Sequence, residues 1–228
     1  MAQEFFFRPI LDHLVNEDML CDEDKASKLP SIGTLAKELG ISHGKLREDL
    51  LAAQAYGMVE LRPGDGTYIR PFDFYAAIRP AVIYGIACDK HNFDKFYRLR
   101  AQVEVGFLEE AAKKLQPEDF EKLHKITRRA ETKLNSQPIE IPHREHRIFH
   151  MLVFSRLNNP FVLGLLQAYW DGYETVELHR YFDISYYEQM WDYHKQIVSL
   201  LQSGDYQQSR KVLVDHFGIL ETRLHITE

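Results

Sequence analysis

Four histidines in the second half of the chain have spacings that would bring their imidazoles together. His146 and His150 are four residues apart, so both rings project from one face of a helix. His194 and His216 each fall within the apolar stripe of a later helical segment. Burying several imidazoles is costly unless each finds a partner, and one divalent ion would satisfy all four. The pattern predicts a metal site, with Zn²⁺ or Ni²⁺ expected; four separately hydrogen-bonded core histidines are the alternative.

Two further polar residues are candidates for binding a small ligand beside these histidines. Arg100 lies in the same helical stripe as Phe93, so it points inward, and a buried guanidinium requires an anionic partner. That partner is either Glu104, one helical turn later, or the carboxylate of an effector bound jointly by the metal and Arg100. Asn159 could orient the same effector or, because Pro160 follows it, cap the next helix.

The first third of the chain contains two short helical segments separated by a tight turn. Ser31 is a candidate N-cap for the first helix, and Gly40 is a candidate end. Ser42 then begins a second helix that ends near Gly57. Two short helices joined by a turn of three or four residues containing glycine are typical of a helix-turn-helix.

Directly after these helices the pattern changes to two short alternating strands. Residues 58–62 and 67–70 flank a turn with two glycines at residues 63–66. A hairpin that follows a helix-turn-helix predicts a winged helix, which binds DNA. A small packing hairpin without a partner is the alternative interpretation.

A winged helix would contact DNA through the N-terminal half of its second helix and through the wing. Arg47 is placed to contact a guanine edge or a phosphate, and Lys45 a phosphate. Gly66 would let the wing backbone approach the minor groove closely. The full set of predicted DNA-contacting residues is Thr34, Ser42, His43, Lys45, Arg47, Arg62 and Gly66.

The rest of the chain is predicted to be almost entirely helical, after an N-terminal helix over residues 5–15. The fold class is therefore mainly α, with a winged helix-turn-helix domain at residues 1–72 and an all-helical domain at residues 75–228. The predicted helices of the second domain cover about residues 75–88, 92–115, 117–135, 143–157, 160–181, 185–202 and 206–226.

Composition and charge limit the possible classes of protein. The 228 residues contain no apolar run long enough for a membrane span, and two cysteines cannot form a disulfide framework, so a cytoplasmic protein is expected. The net charge of −6 alone disfavours nucleic-acid binding. However, residues 25–70 carry seven Lys and Arg against five acids, so any DNA contact should come from this segment.

The motifs together resemble the GntR family of bacterial transcription regulators. The segments that carry the resemblance to its winged helix are Leu29–Leu50, Gly57–Val59 and Pro63–Ile69. The helical half is similar to the FCD ligand-binding domain of the FadR-type branch. The residues behind that similarity are Arg100 with Glu104, Phe149 with His150, Asn159 with Pro160, His194 and His216.

The resemblance also has implications for the metal site. Many FCD domains bind a metal through one aspartate and three histidines, at positions matching His146, His150, His194 and His216. Here His146 stands where that aspartate is usual. An all-imidazole site carries less negative charge, so the substitution either shifts preference toward softer ions or removes that ligand.

The DNA-binding half departs from the family pattern at several positions. The family often has arginine where this chain has His43, and a Thr-Pro pair at Gly44 and Lys45. Asp49 replaces a small residue, and Asp65 in the wing replaces a basic one. These differences predict an operator unlike the commonest ones of the family, and weaker binding.

The function expected from these observations is a homodimeric transcription regulator, most simply a repressor, rather than an enzyme. Each subunit would read one half-site of a palindromic operator, and a small organic acid bound at the metal would change operator binding. One alternative is a metal-free regulator that senses an apolar or acyl ligand. The other is a metal-dependent hydrolase, for which only Glu104 or Glu145 could serve as general base.

Overall fold

The computed structural model describes residues 10, 12, 27–176 and 183–224, with side chains described up to residue 219. Apart from Ile10 and Asp12, the helix predicted over residues 5–15 lies outside these residues. The chain divides into two compact units, Met1–Pro80 and Ala81–Glu228. The proposed boundary between residues 72 and 75 stays a prediction, because a helix that begins at residue 74 runs from the first unit into the second.

The first unit contains the predicted helix-turn-helix. Helix α1 (Ile32–Leu39) begins where the Ser31 side chain accepts a hydrogen bond from the Thr34 amide (3.2 Å), and it ends at Gly40 in the left-handed conformation. Helix α2 (His43–Ala55) begins at Ser42, whose side chain accepts from the Lys45 amide (3.1 Å). The short polar caps explain why two helices can start so close together.

An antiparallel hairpin follows helix α2. Strand β1 (Val59–Arg62) pairs with strand β2 (Gly66–Ile69), with Val59 opposite Ile69. Ser27 and Leu29 exchange backbone hydrogen bonds with the outer edge of β2 (2.9 and 2.8 Å). One face of the hairpin packs on the two helices. The buried core of this unit consists of Ile10, Leu29, Leu35, Ala36, Leu46, Leu50, Ala53, Val59 and Ile69.

The second unit is an all-helical bundle within the described residues. Its helices are α3 (Phe74–Cys88), which begins in the first unit, α4 (His91–Ala112), α5 (Pro117–Leu134), α6 (His143–Phe154), α7 (Pro160–Thr175), α8 (Ile184–Ser203) and α9 (Tyr206–Leu224). Helix α8 packs against α5 and α9, α4 packs against α9 and α7, and α6 lies among α4, α5 and α7. This arrangement places the inner faces of α4, α6, α8 and α9 around one centre.

The fold class predicted from the sequence is confirmed, while three predicted helix ends are too late. Helix α4 ends at Ala112 instead of residue 115, with Lys113 as its C-cap residue. Helix α6 ends at Phe154 instead of residue 157, and Asn158 then takes a positive φ. Helix α7 ends at Thr175, and residues 177–182 of its predicted extension lie outside the described residues.

A membrane span is not found in the described part of the chain. None of its helices is both long enough and apolar enough to cross a bilayer.

Candidate metal centre and DNA-binding surface

The four predicted histidines converge in the middle of the helical unit. His146 and His150 lie on α6, His194 on α8 and His216 on α9, and all four are buried. One ring nitrogen from each lies within 4.8 Å of the others. The Nε2 atom of His150 is 3.2 Å from Nε2 of His146 and 3.2 Å from Nε2 of His194. The arrangement therefore directs ring nitrogens from three helices at one point.

Burial keeps these imidazoles neutral. It lowers the pKa of His146, His194 and His216 well below the ordinary histidine range, and the neighbouring imidazoles and Arg100 lower it further. Burial also lowers the pKa of His150, although Glu104 acts in the opposite direction. Neutral imidazole is the form that binds metal ions, so the environment favours ligation over protonation.

Glu104 orients the central histidine. Its Oε2 atom lies 2.6 Å from Nδ1 of His150, and its Oε1 atom accepts a hydrogen bond from Nε of Arg100 (2.5 Å). Burial alone would raise the pKa of Glu104, but Arg100 and His150 hold it below its ordinary range. An ionised Glu104 can only accept, so Nδ1 of His150 carries the proton and its Nε2 lone pair faces the other imidazoles.

The hydrogen-bonding capacity of His150 shows that these residues fit a metal ion. With its proton on Nδ1, Nε2 has a single lone pair, yet two imidazole nitrogens lie at 3.2 Å. That lone pair can accept one hydrogen bond, from either His146 or His194. The other imidazole nitrogen then lies against Nε2 of His150 without a hydrogen bond. A cation bound among the Nε2 atoms would satisfy all of these contacts at once. Late first-row ions such as Zn²⁺ and Ni²⁺ suit such a donor set.

Arg100 lies against this centre with one donor unused. The side chain is only 1% exposed, and its guanidinium lies over the rings of Tyr169 (4.2 Å) and Trp170 (4.7 Å). Glu104 pairs with its Nε atom, as one interpretation of the sequence predicted. The Nη2 atom is buried and has no hydrogen-bond partner. A buried unsatisfied donor costs about 1–3 kcal/mol, so an anion at this position would be stabilising.

Asn159 is engaged as a helix cap. Its Oδ1 atom accepts hydrogen bonds from the amides of Phe161 (3.1 Å) and Val162 (3.2 Å) at the start of α7. The Asn-Pro context indicated this alternative. The effector role predicted for Asn159 stays a prediction, and it would have to use the Nδ2 group.

Aromatic rings enclose the histidines, and sequence reasoning did not single out the two tryptophans among them. The Trp170 ring contacts His146 edge-on with 4.7 Å between ring centroids, and the Trp191 ring lies 4.6 Å from that of His194. Trp191 could have been found, because it precedes His194 by one helical turn. Trp170 offered no such signal, since its helix meets α6 only through packing.

The predicted DNA-contacting residues of the helices lie on the surface of the first unit. Thr34, Ser42, His43 and Arg47 are exposed, and Arg47 makes no ion pair within the described residues. Lys45 is half-buried instead, because its Nζ atom pairs with Oδ1 of the buried Asp49 at 2.5 Å. The aspartate that departs from the family pattern thus holds the ammonium group predicted to contact a phosphate.

The wing shows a similar internal pairing of charges. Asp65 at its tip pairs with Lys28 (3.2 Å) and accepts a hydrogen bond from the Tyr68 hydroxyl (2.9 Å). Arg62 pairs with Glu60 (3.0 Å), and its guanidinium lies 4.1 Å from the centre of the Tyr68 ring. The exposed Gly66 has φ +136°, a value that side-chain-bearing residues rarely adopt. These contacts hold the side chains of the wing in place, and they leave the wing able to contact DNA.

Comparison with known proteins finds a family match for the helical half and relatives that align with most of the chain. The FCD domain family matches residues 95–218, which is more than half of the chain. The chain is similar to the HTH-type transcriptional regulator LutR of Bacillus subtilis, with 22% identity over 199 residues, covering 85% of this chain and 90% of LutR. It is also similar to the Uxu operon transcriptional regulator of Escherichia coli, with 24% identity over 202 residues, covering 86% and 78%.

A solved structure supports the same assignment. The GntR protein of Streptococcus agalactiae aligns with a TM-score of 0.69 and 15% identity, covering 96% of this chain and 98% of that protein. This likeness confirms a winged helix-turn-helix followed by an FCD bundle. These relatives are transcription regulators and not enzymes, so the hydrolase alternative is set aside. The chain belongs to the FCD-domain branch of the GntR-family transcription regulators.

Proposed function

We propose that this regulator is a homodimeric repressor whose operator binding is controlled by a small organic acid at a metal centre. Residues 1–72 form the DNA-binding domain, and residues 75–228 form the effector domain. Each subunit reads one half of a palindromic site in double-stranded DNA. The metal is Zn²⁺ or Ni²⁺, held by His146, His150, His194 and His216.

The convergence of the four buried histidines carries this proposal. Their ligand atoms lie within 4.8 Å of one another, and burial keeps all four rings neutral. Separate core histidines would each need their own partner, but Nε2 of His150 has one lone pair for the two imidazole nitrogens that lie 3.2 Å from it. A shared metal ion therefore accounts for the cluster better than isolated core packing does.

The unused donor of Arg100 supports a carboxylate effector. When bound, the metal supplies a Lewis-acidic position for one carboxylate oxygen. Arg100 supplies a directed hydrogen bond through Nη2, while Glu104 fixes the rest of the guanidinium through Nε. Control of DNA binding then requires that the effector bind two states of the dimer with different affinities.

Elemental analysis of untagged protein purified without chelators tests the metal centre. We expect about one Zn or Ni per chain, with His150→Ala losing the metal because that ring lies at the centre of the cluster. His124→Ala is the matched control, because His124 is outside the cluster and contacts Gln202. Folded protein that contains neither ion and rejects both when added would contradict the proposal.

Anisotropy titrations with a duplex selected from random DNA test the DNA-binding surface. Arg47→Ala should weaken binding by about 1–3 kcal/mol if it contacts a base edge. Lys45→Ala should have a smaller effect, because Asp49 already holds the ammonium group. A larger loss for Lys45→Ala than for Arg47→Ala would contradict this assignment of roles.

A further inference from the structure

The candidate ligands of the proposed metal centre contribute no negative charge. All four are imidazoles, and an imidazole that binds a metal ion is neutral. A divalent ion held by them would therefore keep both of its positive charges. A bound cation is often the largest charge in its surroundings, so the neighbouring groups decide whether that charge is balanced.

The charged pair nearest the histidines has no net charge. Arg100 and Glu104 are 1% and 0% exposed, and Nε of Arg100 lies 2.5 Å from Oε1 of Glu104. Glu104 also lies 2.6 Å from Nδ1 of His150, so the pair is in direct contact with the cluster. Because the positive guanidinium and the negative carboxylate cancel, the pair cannot balance a divalent ion.

A second buried acid beside the cluster is neutralised from another side. Glu145 directly precedes His146, but it pairs with Arg129 (3.0 Å) and Lys133 (3.1 Å) of α5. Uncharged aromatic rings pack against the histidines, and they include Phe149, Trp170, Trp191 and Phe217. The group of ligand atoms thus contains no carboxylate, and the two buried acids beside it are already paired.

Burial makes this imbalance of charge costly. The four histidines are at most 6% exposed, and a buried charge loses its hydration unless an opposite charge replaces it. A ligand with one negative charge would balance half of the charge of a divalent ion, and a ligand with two would balance all of it. A second carboxylate could also accept a hydrogen bond from Nη2 of Arg100, which is buried without a partner.

We infer that this centre selects small dicarboxylates, which carry two negative charges, over monocarboxylates of the same size. The inference rests on the metal centre of the proposed function and names the charge class of its ligand. His146 is the specificity-determining residue, because an aspartate in its place would supply one of the two negative charges from the protein.

Titrations of malonate and propionate into the zinc-loaded full-length protein test this inference. The two acids have carbon chains of equal length, and malonate differs by its second carboxylate. Tryptophan fluorescence reports binding, since the rings of Trp170 and Trp191 lie against the histidines. Malonate should bind at least about tenfold more tightly than propionate, because the interaction of one more charge with a buried ion exceeds this ratio at short range.

Two variants change the charge of the centre in opposite directions. His146→Asp adds one negative charge, so the preference for malonate should fall about tenfold. Glu104→Gln removes one, so the preference should rise when enough zinc is present to saturate the variant. Chelation by malonate alone would give the same preference in both variants. Glu109→Gln, which removes an exposed acid of the same helix, should leave the preference unchanged.

Metal analysis of each zinc-loaded preparation separates the two proposals. A wild-type protein that retains no zinc would contradict the proposed function and this inference with it. A zinc-containing protein that binds malonate and propionate equally, or binds neither, would overturn the inference and leave the metal centre standing. Malonate binding that persists after the zinc is removed would overturn it too. If His146→Asp retains no zinc, Glu104→Gln decides, and an unchanged or smaller preference there would overturn the inference.

Discussion

The metal-binding form of His150 depends on a residue that is not itself a candidate ligand. Glu104 holds Nδ1 of His150 at 2.6 Å and is in turn held by Arg100. A carboxylate in this position fixes both the tautomer and the orientation of a ligating imidazole. In the proposed metal centre Glu104 would therefore be a positioning residue, in addition to being the partner of Arg100.

Glu104→Gln should weaken metal binding about 10–100-fold, because a neutral amide no longer fixes the proton on Nδ1 of His150. Competition with a coloured chelator measures the dissociation constant. The two tryptophans give a second readout, since both lie against the cluster and their fluorescence should respond to metal. Glu109→Gln on the exposed face of α4 is the control. Equal affinity in Glu104→Gln and wild type would show that Glu104 does not position the ligand.

The sequence predicted the histidines but not the surroundings that tune them. The separation of four residues between His146 and His150 is a helical signal that survives without tertiary information. The position of Trp170 against Arg100 depends on how α7 packs on α4, two helices far apart in sequence. Contacts of this kind follow from packing, which periodicity within one helix does not encode.

At the scale of elements, caps and turns were predictable while helix ends were less so. Ser31 and Ser42 cap their helices because a short hydroxyl satisfies amides that a helix start leaves free. The late predicted ends of α4 and α6 arose because apolar residues continue beyond the last helical turn. Leu115 and Leu157 are buried in the core although neither is helical.

Gly57→Ala should destabilise the first unit more than Gly40→Ala does. Both glycines have positive φ (74° and 67°), so a side chain costs about 1–2 kcal/mol at either position. Only at Gly57 would the new Cβ meet another atom, Cβ of Ala76, at 2.4 Å. That clash should add about 1–3 kcal/mol. Hydrogen exchange of the α2 amides measures the local opening free energy, and equal values for the two variants would refute the clash.

Asp119→Asn should destabilise the second unit by about 1–2 kcal/mol at neutral pH. Asp119 accepts a hydrogen bond from the Gln116 amide at the start of α5 and pairs with Arg156. The hydrogen bond from Arg156 holds the pKa of Asp119 below its ordinary range. Its contribution is therefore fully present above the unfolded-state pKa of about 3.9 and is lost as the pH falls through the lower folded-state pKa.

Urea unfolding followed by tryptophan fluorescence at several pH values checks this prediction, because both tryptophans belong to the second unit. The gap between wild type and Asp119→Asn should close in acid. Glu118→Gln is the control, as an exposed acid in the same helical turn. A gap that stays constant down to acidic pH would mean that the charge of Asp119 is not what stabilises this helix start.

At the scale of the whole molecule, one helix is more apolar than its burial explains. Helix α3 carries a single charged residue, Arg79, yet Ile86 is its only buried residue. Its exposed positions include Ala81, Tyr84 and Cys88 at helical spacing, and Tyr84 is 73% exposed. A helix that is apolar on most sides is normally covered by protein. In the homodimer proposed above, a second copy of the chain would be the partner that covers this face.

Tyr84→Glu should therefore convert the proposed dimer to a monomer, because a carboxylate buried in an apolar interface would lose its hydration without a partner. Sedimentation at micromolar concentration measures the mass. Ile139→Glu is the matched control, since Ile139 is a similarly exposed apolar residue (54%) outside the helices. Tyr84→Glu should also lose affinity for a palindromic duplex while keeping its metal content, because the histidine cluster lies within one chain. A Tyr84→Glu protein that stays dimeric would exclude this face of α3, and a monomeric wild type would contradict the dimer itself.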